Sequence, residues 1–170
     1  MRIRSATPDD AEAVERIRVR GWQAAYRQIF PPALLDGMPL DWSRWRARLD
    51  RPPGGWSILV GEAEWRVVGF AAMGPDRDGT PAGELFALYV DPDRWSRGAG
   101  WALLAAAEEH LSERHPEAIL WVLEGNERAR RFYERAGWAL EPSTRDFEFE
   151  TVRVPIVRYR KRLSTSASRT

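Results

Sequence analysis

The chain has 170 residues, 44% of them apolar and 30% charged, with 26 basic side chains offset by 25 acidic ones and no cysteine. This size and balance suit one folded domain and argue against disorder, and the missing basic surplus argues against a nucleic-acid partner. The missing cysteines exclude disulfides and a cysteine nucleophile, while no apolar run approaches the roughly 20 residues of a membrane span.

Residues 3–6 predict a short first strand. Thr7, Pro8, Asp9 and Asp10 then read as a helix start: a capping hydroxyl, a proline suited to the first helical position, and two acids matched to the helix dipole. Ala11, Val14, Ile17, Gly21, Trp22 and Ala25 follow at helical spacing, so a first helix runs to about residue 26. Short helical pieces are expected over 33–35 and 41–49. After the breaker Pro52-Pro53-Gly54-Gly55 come strands over 56–60 and 65–73, joined by a turn over 61–64. A polar loop over 74–83 leads to a strong strand over 84–90, an irregular loop over 91–100 and a helix over 100–114. A strand over 118–123 precedes a helix over 126–136 that stops at Gly137, a candidate left-handed cap. Residues 147–159 supply one or two last strands, with Pro155 expected at an edge or between them. The serine- and arginine-rich end from Lys161, and residues 164–170 in particular, is expected to be disordered.

This order places the chain in the α/β (α+β) class. One domain over 1–163 carries a mixed, mostly antiparallel central sheet of six to seven strands, flanked by about four helices. The middle strands pair antiparallel, and the strand–helix–strand unit over 84–123 crosses to a parallel neighbour. The start, Met1-Arg2-Ile3-Arg4, has no apolar signal stretch, so a cytoplasmic protein without a membrane partner is expected. His110 and His115 lie near each other without other plausible ligands, and no metal is expected.

The segment most suggestive of chemistry runs from Leu88 through Val90, Asp91, Pro92, Trp95, Ser96, Arg97, Gly98, Ala99, Gly100 and Trp101 to Leu103-Leu104. It is a strand, a loop with two glycines, and a helix. Free N–H groups in a helix's first turn, with the dipole positive there, form an anion site. A diphosphate fits such a site, with Arg94 and Arg97 able to add charge-assisted bonds. No Lys-Ser/Thr follows, so this is not a P-loop, and without a third glycine it is not a dinucleotide fingerprint. Read alone, Gly-x-Gly marks a turn as readily as a ligand.

The flanking pattern decides between those readings. Val90-Asp91-Pro92, Gly98-Ala99-Gly100 and Leu103-Leu104 resemble the central motif of the GCN5-related N-acetyltransferases, with Trp95 where that family usually has glutamine or arginine. A second stretch, from Asn126 through Ala129, Phe132 and Tyr133 to Gly137-Trp138, is similar to that family's asparagine–tyrosine element. The resemblance implies the family's fold and acetyl-CoA as co-substrate. It implies that the backbones of Leu88, Tyr89 and Val90 flank the pantetheine arm, and that the N–H groups of 96–101, beside Trp95, hold the diphosphate. It further implies Asn126 on the pantetheine and Arg131 at the adenosine phosphate; read alone, Arg128, Arg130 and Arg131 are equally a solvated helix face.

Acetyl transfer needs an unprotonated amine, and an alkylammonium has a pKa near ~10. A carboxylate base is worth about 10²–10⁴-fold. Glu84, fourteen residues before Gly98, holds the place where some family members carry that base, and Tyr133 holds the place of the tyrosine acid. With no cysteine, direct attack in a ternary complex is expected. In the implied acceptor region lie Trp22, Tyr26 and Phe30, with Trp42 and Trp45, which either cage an amine or pack the core. The stretch from Gly21 to Pro31 resembles that of a bacterial subgroup. Glu62, Glu64 and Asp76 are further candidates for holding an amine. The expected partner is a small-molecule primary amine, with peptide N-terminal or lysine acetylation, or a non-catalytic acyl-CoA-binding module, as alternatives. A homodimer through the last strands is also expected.

Overall fold

The computed structural model describes residues 1–164. Its single sheet contains β1 (Arg2–Ser5), β2 (Ser57–Ala63), β3 (Arg66–Pro75), β4 (Gly83–Val90), β5 (Glu117–Leu123), β6 (Ala139–Phe149) and β7 (Val152–Arg162), in the spatial order β1-β2-β3-β4-β5-β7-β6. The helices are α1 (Ala11–Ala25), α2 (Pro32–Asp36), α3 (Ser43–Asp50), α4 (Ala99–Ser112) and α5 (Glu127–Arg135). A 3-10 turn over Pro8–Asp10 leads into α1, and Asp10 turns back to accept the Thr7 N–H at 2.8 Å. The five helices match the expected flanking set of about four, with α2 and α3 as the two short pieces expected over 33–35 and 41–49. Among the described residues, no helix is long and apolar enough to cross a membrane.

Strand alternation sorts the core between two layers. On β3, Ala71 and Met73 pack toward Leu103, Leu104 and Leu111 of α4, while Phe70 and Ala72 pack toward Val14 and Ile17 of α1 and Trp45 of α3. Full burial of Phe70 alone stabilises by about 1.5–3 kcal/mol. Close approach of α4 depends on Gly69, where an added Cβ would stand 2.7 Å from Leu103 Cδ1 and 2.8 Å from the Tyr89 carbonyl oxygen. An alanine there would push away the helix whose N-terminus faces the site.

Several expectations are corrected. The β2–β3 turn is a tight two-residue loop, since Ala63 pairs with Arg66. Glu64 and Trp65 both have left-handed φ, 52° and 63°, as a type I′ hairpin requires, but neither is a residue that advertises it. Pro155 sits inside β7 rather than at a sheet edge. It is tolerated because it lies one residue past the last β5–β7 pair, Leu123↔Ile156, and its carbonyl still accepts the Glu124 N–H at 3.0 Å. Lys161 and Arg162 belong to β7, held by pairing with Ala118 and Glu117, and Leu163 packs on the core. The rest of the expected tail, from residue 165, lies outside the described residues. Gly137 has φ 83° and ends α5 as expected. β6 is an open sheet edge, the strand that the expected pairing between copies would use.

One irregularity makes the site. β4 and β5 pair in parallel only from Gly83↔Ala118 to Leu85↔Leu120. The register against β3 then slips, with Ala72 opposite Ala87 and Met73 opposite Leu85, so Phe86 is a bulge. A bulge bends its strand; β4 turns away, β5 continues along β7, and the sheet forks.

Candidate active site

A cavity of about 920 Å³ begins in the fork, lined by β4 from Leu85 to Val90 and by β5 from Leu120 to Leu123. It runs along α5 past Ala129, Phe132 and Tyr133 to Trp95, Ser96, Gly98 and Gly100 at the entry to α4. On the other side of the fork it meets Trp22 and Tyr26 of the α1 end and Phe147 of β6.

The loop before α4 is built to face outward. Ser96 and Gly98 are both left-handed, φ 62° and 87°, the alternation that turns successive N–H groups toward one point. None of the backbone N–H groups of 96–101 has a hydrogen-bond partner among the described residues. A Cβ on Gly98 would meet nothing within 4 Å, so that wall of the cradle is open. Two ion-pair ties fix the loop. Arg20 of α1 holds Asp91 at 2.8 Å and Asp93 at 2.9 Å, and Arg94 holds Glu64 at 2.6 and 3.2 Å. Arg94 lines the cavity already committed to that acid, whereas Arg97 lies outside the lining.

Along β4 the Asp91 N–H bonds the Val68 carbonyl. By antiparallel alternation, the N–H and C=O groups of Leu88 and Val90 point away from β3, into the fork. Of these, the Val90 carbonyl is taken by the Trp95 indole N–H at 2.8 Å. Trp95 thus braces the strand to the loop, and the Arg128 guanidinium stacks 3.8 Å above its ring. Arg128 lines the cavity and pairs with no acid among the described residues, and burial holds its pKa below the ordinary value. Arg131, the expected adenosine-phosphate contact, is instead bonded to Glu127 at 3.0 Å and does not line the cavity. The legible signal was spacing: Arg128 lies one turn from Phe132, on the inward face, while Arg131 pairs i to i−4 with an acid.

Asn126 lines the cavity and also caps α5, its side-chain oxygen accepting the Ala129 N–H at 3.2 Å. Tyr133 is buried against Phe132 and Trp138, and burial pushes its hydroxyl well above the ordinary tyrosine range. Tyr26 and Tyr89 are likewise raised by burial. The Trp22 indole donates to the Tyr89 hydroxyl at 2.8 Å.

Glu84 does not join this group. It is 1% exposed and lies off the cavity lining. The Arg77 backbone N–H reaches its carboxylate at 3.1 Å, Arg77 Nε at 3.0 Å, and Arg77 Nη2 bonds its other oxygen. Of the acceptor-side aromatics, Trp22 and Tyr26 line the cavity. Phe30 is packed behind them, stacked on Trp22 at 5.9 Å and against Phe149. Trp45 is buried against Phe70 and Trp42 is exposed. Glu62 is bound to Arg4, Glu64 to Arg94 and Asp76 to Thr80, and none of the three lines the cavity. Among the described residues no cluster of three or more His, Asp or Glu side chains can hold a metal; His110 bonds Ser57 and His115 meets the Pro81 carbonyl.

A forked sheet with strand amides turned into the gap, continuous with a ring of free amides at a helix N-terminus, defines an acyltransferase that draws on coenzyme A. The chain belongs to the Acetyltransferase (GNAT) family, whose model matches residues 19–138. It is 33% identical over 165 residues to the Mycobacterium tuberculosis protein named Probable N-acetyltransferase Rv2775, covering 94% of this chain and 92% of that one. A Mycothiol acetyltransferase of Propionibacterium freudenreichii is 48% identical over 66 residues, 38% of this chain but only 21% of that one. The fold matches PaiA N-acetyltransferase from Thermoplasma acidophilum, solved in complex with coenzyme A, with a TM-score of 0.78 at 18% identity over 95% of this chain and 98% of that one. The protein is an acetyl-CoA-dependent N-acetyltransferase, and the free amides and open fork are the groups that fit its co-substrate.

Proposed function

We propose that the protein acetylates the primary amine of a small molecule by direct attack in a ternary complex. The observation that carries this reading is the ring of unpartnered amides at 96–101, opening on a cavity that continues through the fork to an aromatic-walled end. Bound there, acetyl-CoA supplies the activated acyl group. The 96–101 amides and Arg128 hold its phosphates, and the strand amides of Leu88 and Val90 aim the thioester at the fork. There a backbone N–H also polarises the carbonyl as charge develops on its oxygen.

Tyr133 faces the departing sulfur. Its raised pKa keeps the hydroxyl protonated, and since a thiol titrates near ~8.5, a hydrogen bond to the thiolate suffices without full proton transfer. Glu84, engaged by Arg77, acts as a positioning residue beside the bulge, and the amine's proton leaves through water. A small acceptor is supported by the enclosure of the far end by Trp22, Tyr26 and Phe147, and by the Mycothiol acetyltransferase names among the relatives. Initial rates of thiol release at varied acetyl-CoA and amine test the order of events. Double-reciprocal lines that intersect are expected; parallel lines overturn direct attack.

A further inference from the structure

The rim of the cavity on the acceptor side is lined by Arg77, Asp78, Trp121, Arg145 and Asp146. Two arginines face two aspartates, but the four are held very differently. Arg77 is spent on Glu84 through its backbone and its guanidinium. Arg145 stands over the Trp121 indole, its guanidinium carbon 3.7 Å from the ring centre. Its acid contact is a loose one: a single nitrogen, Nη1, stands 3.3 and 3.4 Å from the two Asp78 oxygens. With the two side chains 41% and 46% exposed, that pair contributes little. The Nε and Nη2 groups of Arg145 have no partner among the described residues.

The platform beneath is fixed. Trp121 is a β5 residue paired with Arg158, whose guanidinium flanks the same ring at 5.6 Å and is bonded to Glu141. The buried indole N–H of Trp121 has no partner among the described residues. Asp146, the other rim acid, stands 3.8 Å from Arg153. A guanidinium held over an aromatic ring, with its Nε and Nη2 donors free, can pair bidentately with a planar carboxylate.

Resting on the acetyl-transfer reading above, we infer that the acceptor is an amine that also bears a carboxylate, an amino acid or a short amino-acid conjugate. Its carboxylate pairs with Arg145 on the Trp121 platform, while its amine reaches inward to the fork. Arg145 is then a specificity-determining residue.

The test measures thiol release from acetyl-CoA with free amino acids, their carboxamides and the matching decarboxylated amines. Amino acids should be favoured by about 10- to 150-fold in kcat/KM, the ratio that a hydrogen-bonded charged pair supports. R145M should bring the amino acids down to the level of their carboxamides without changing the KM for acetyl-CoA, and R145K should retain part of the preference. Equal use of acids and amides by the native enzyme, or an equal fall for both in R145M, overturns the inference. So does turnover confined to amines without a carboxylate, or none of these amines being used although acetyl-CoA binds. A thermal shift with acetyl-CoA separates the two levels: if no shift occurs, the acetyl-transfer reading itself fails.

Discussion

The pairing of Arg77 with Glu84 is open to a quantitative test. Substituting Arg77→Met leaves a carboxylate that is 1% exposed with only one backbone N–H for company. Removing one partner of a buried ion pair costs about 3–5 kcal/mol. Arg77 itself is half exposed, 53%, so water reaches the gap and the expected loss is nearer ~2–3 kcal/mol. In a chain of this size each 1 kcal/mol lowers Tm by about 2–4 °C, which predicts a fall of roughly 4–12 °C. The double variant R77M/E84Q buries no charge, so it should recover at least about 1 kcal/mol of that loss, the signature of coupled neighbours. Thermal denaturation of the native protein, both single variants and the double supplies the cycle. Activity separates the two roles of Glu84. A positioning residue predicts less than about tenfold loss of kcat in E84Q, whereas a general base predicts about 10²–10⁴-fold and loss of the acid limb of the pH–rate profile. A positioning role for Glu84 is refuted if R77M melts with the native protein, or if E84Q keeps native stability while kcat collapses.

Tyr133→Phe should lower kcat by about 10²–10³-fold, the usual cost of one donor to developing charge, with little change in the KM for acetyl-CoA; a change confined to KM would contradict its role. Arg128→Ala should weaken coenzyme A binding by about tenfold at low salt while Arg131→Ala leaves it unchanged, because Arg128, unlike Arg131, lines the cavity and pairs with no acid among the described residues; a charge-assisted bond of ~1.5 kcal/mol is assumed, and calorimetric titration decides. Burial raises Tyr26, Tyr89 and Tyr133 above the ordinary tyrosine value. Their contribution to stability is therefore complete below about pH 10, the unfolded value, and is lost as pH rises from there toward the folded values. Alkaline melts should show tyrosinate absorbance appearing together with loss of structure; ionisation of these tyrosines within a still-folded protein would refute this.

Much of the site was legible in the linear chain because its logic is local. Two glycines before a leucine-rich helix predict an outward-facing amide cradle, and the structure places free amides there. Asn126 before Ala129 predicts a helix cap, and Gly137 its left-handed end. The crossover from β4 through α4 to a parallel β5 followed from the order of elements and the handedness rule. These features depend on neighbours a few residues apart, where dihedral preference and periodicity act.

What tertiary structure decided were the partners of charges and rings. The sequence carries Glu84 and Arg77 seven residues apart, but only the fold of the β3–β4 loop, which also lays Arg77 over Phe86, brings the guanidinium onto the buried carboxylate. Phe30 was as plausible a cavity wall as Trp22 until both stacked and one stood behind the other. Arg145 reaches Trp121 only because β7 lies between β6 and β5, and nothing in either local stretch announces the meeting. The Glu64-Trp65 turn was hidden for a related reason: its left-handed conformation is imposed by the β2–β3 register rather than chosen by residues that favour it. Backbone preference is short-ranged and written along the chain, whereas the partner of a charged side chain depends on which strands become neighbours, so the outward-facing amides before α4 could be read from sequence and the pairing of the rim arginines could not.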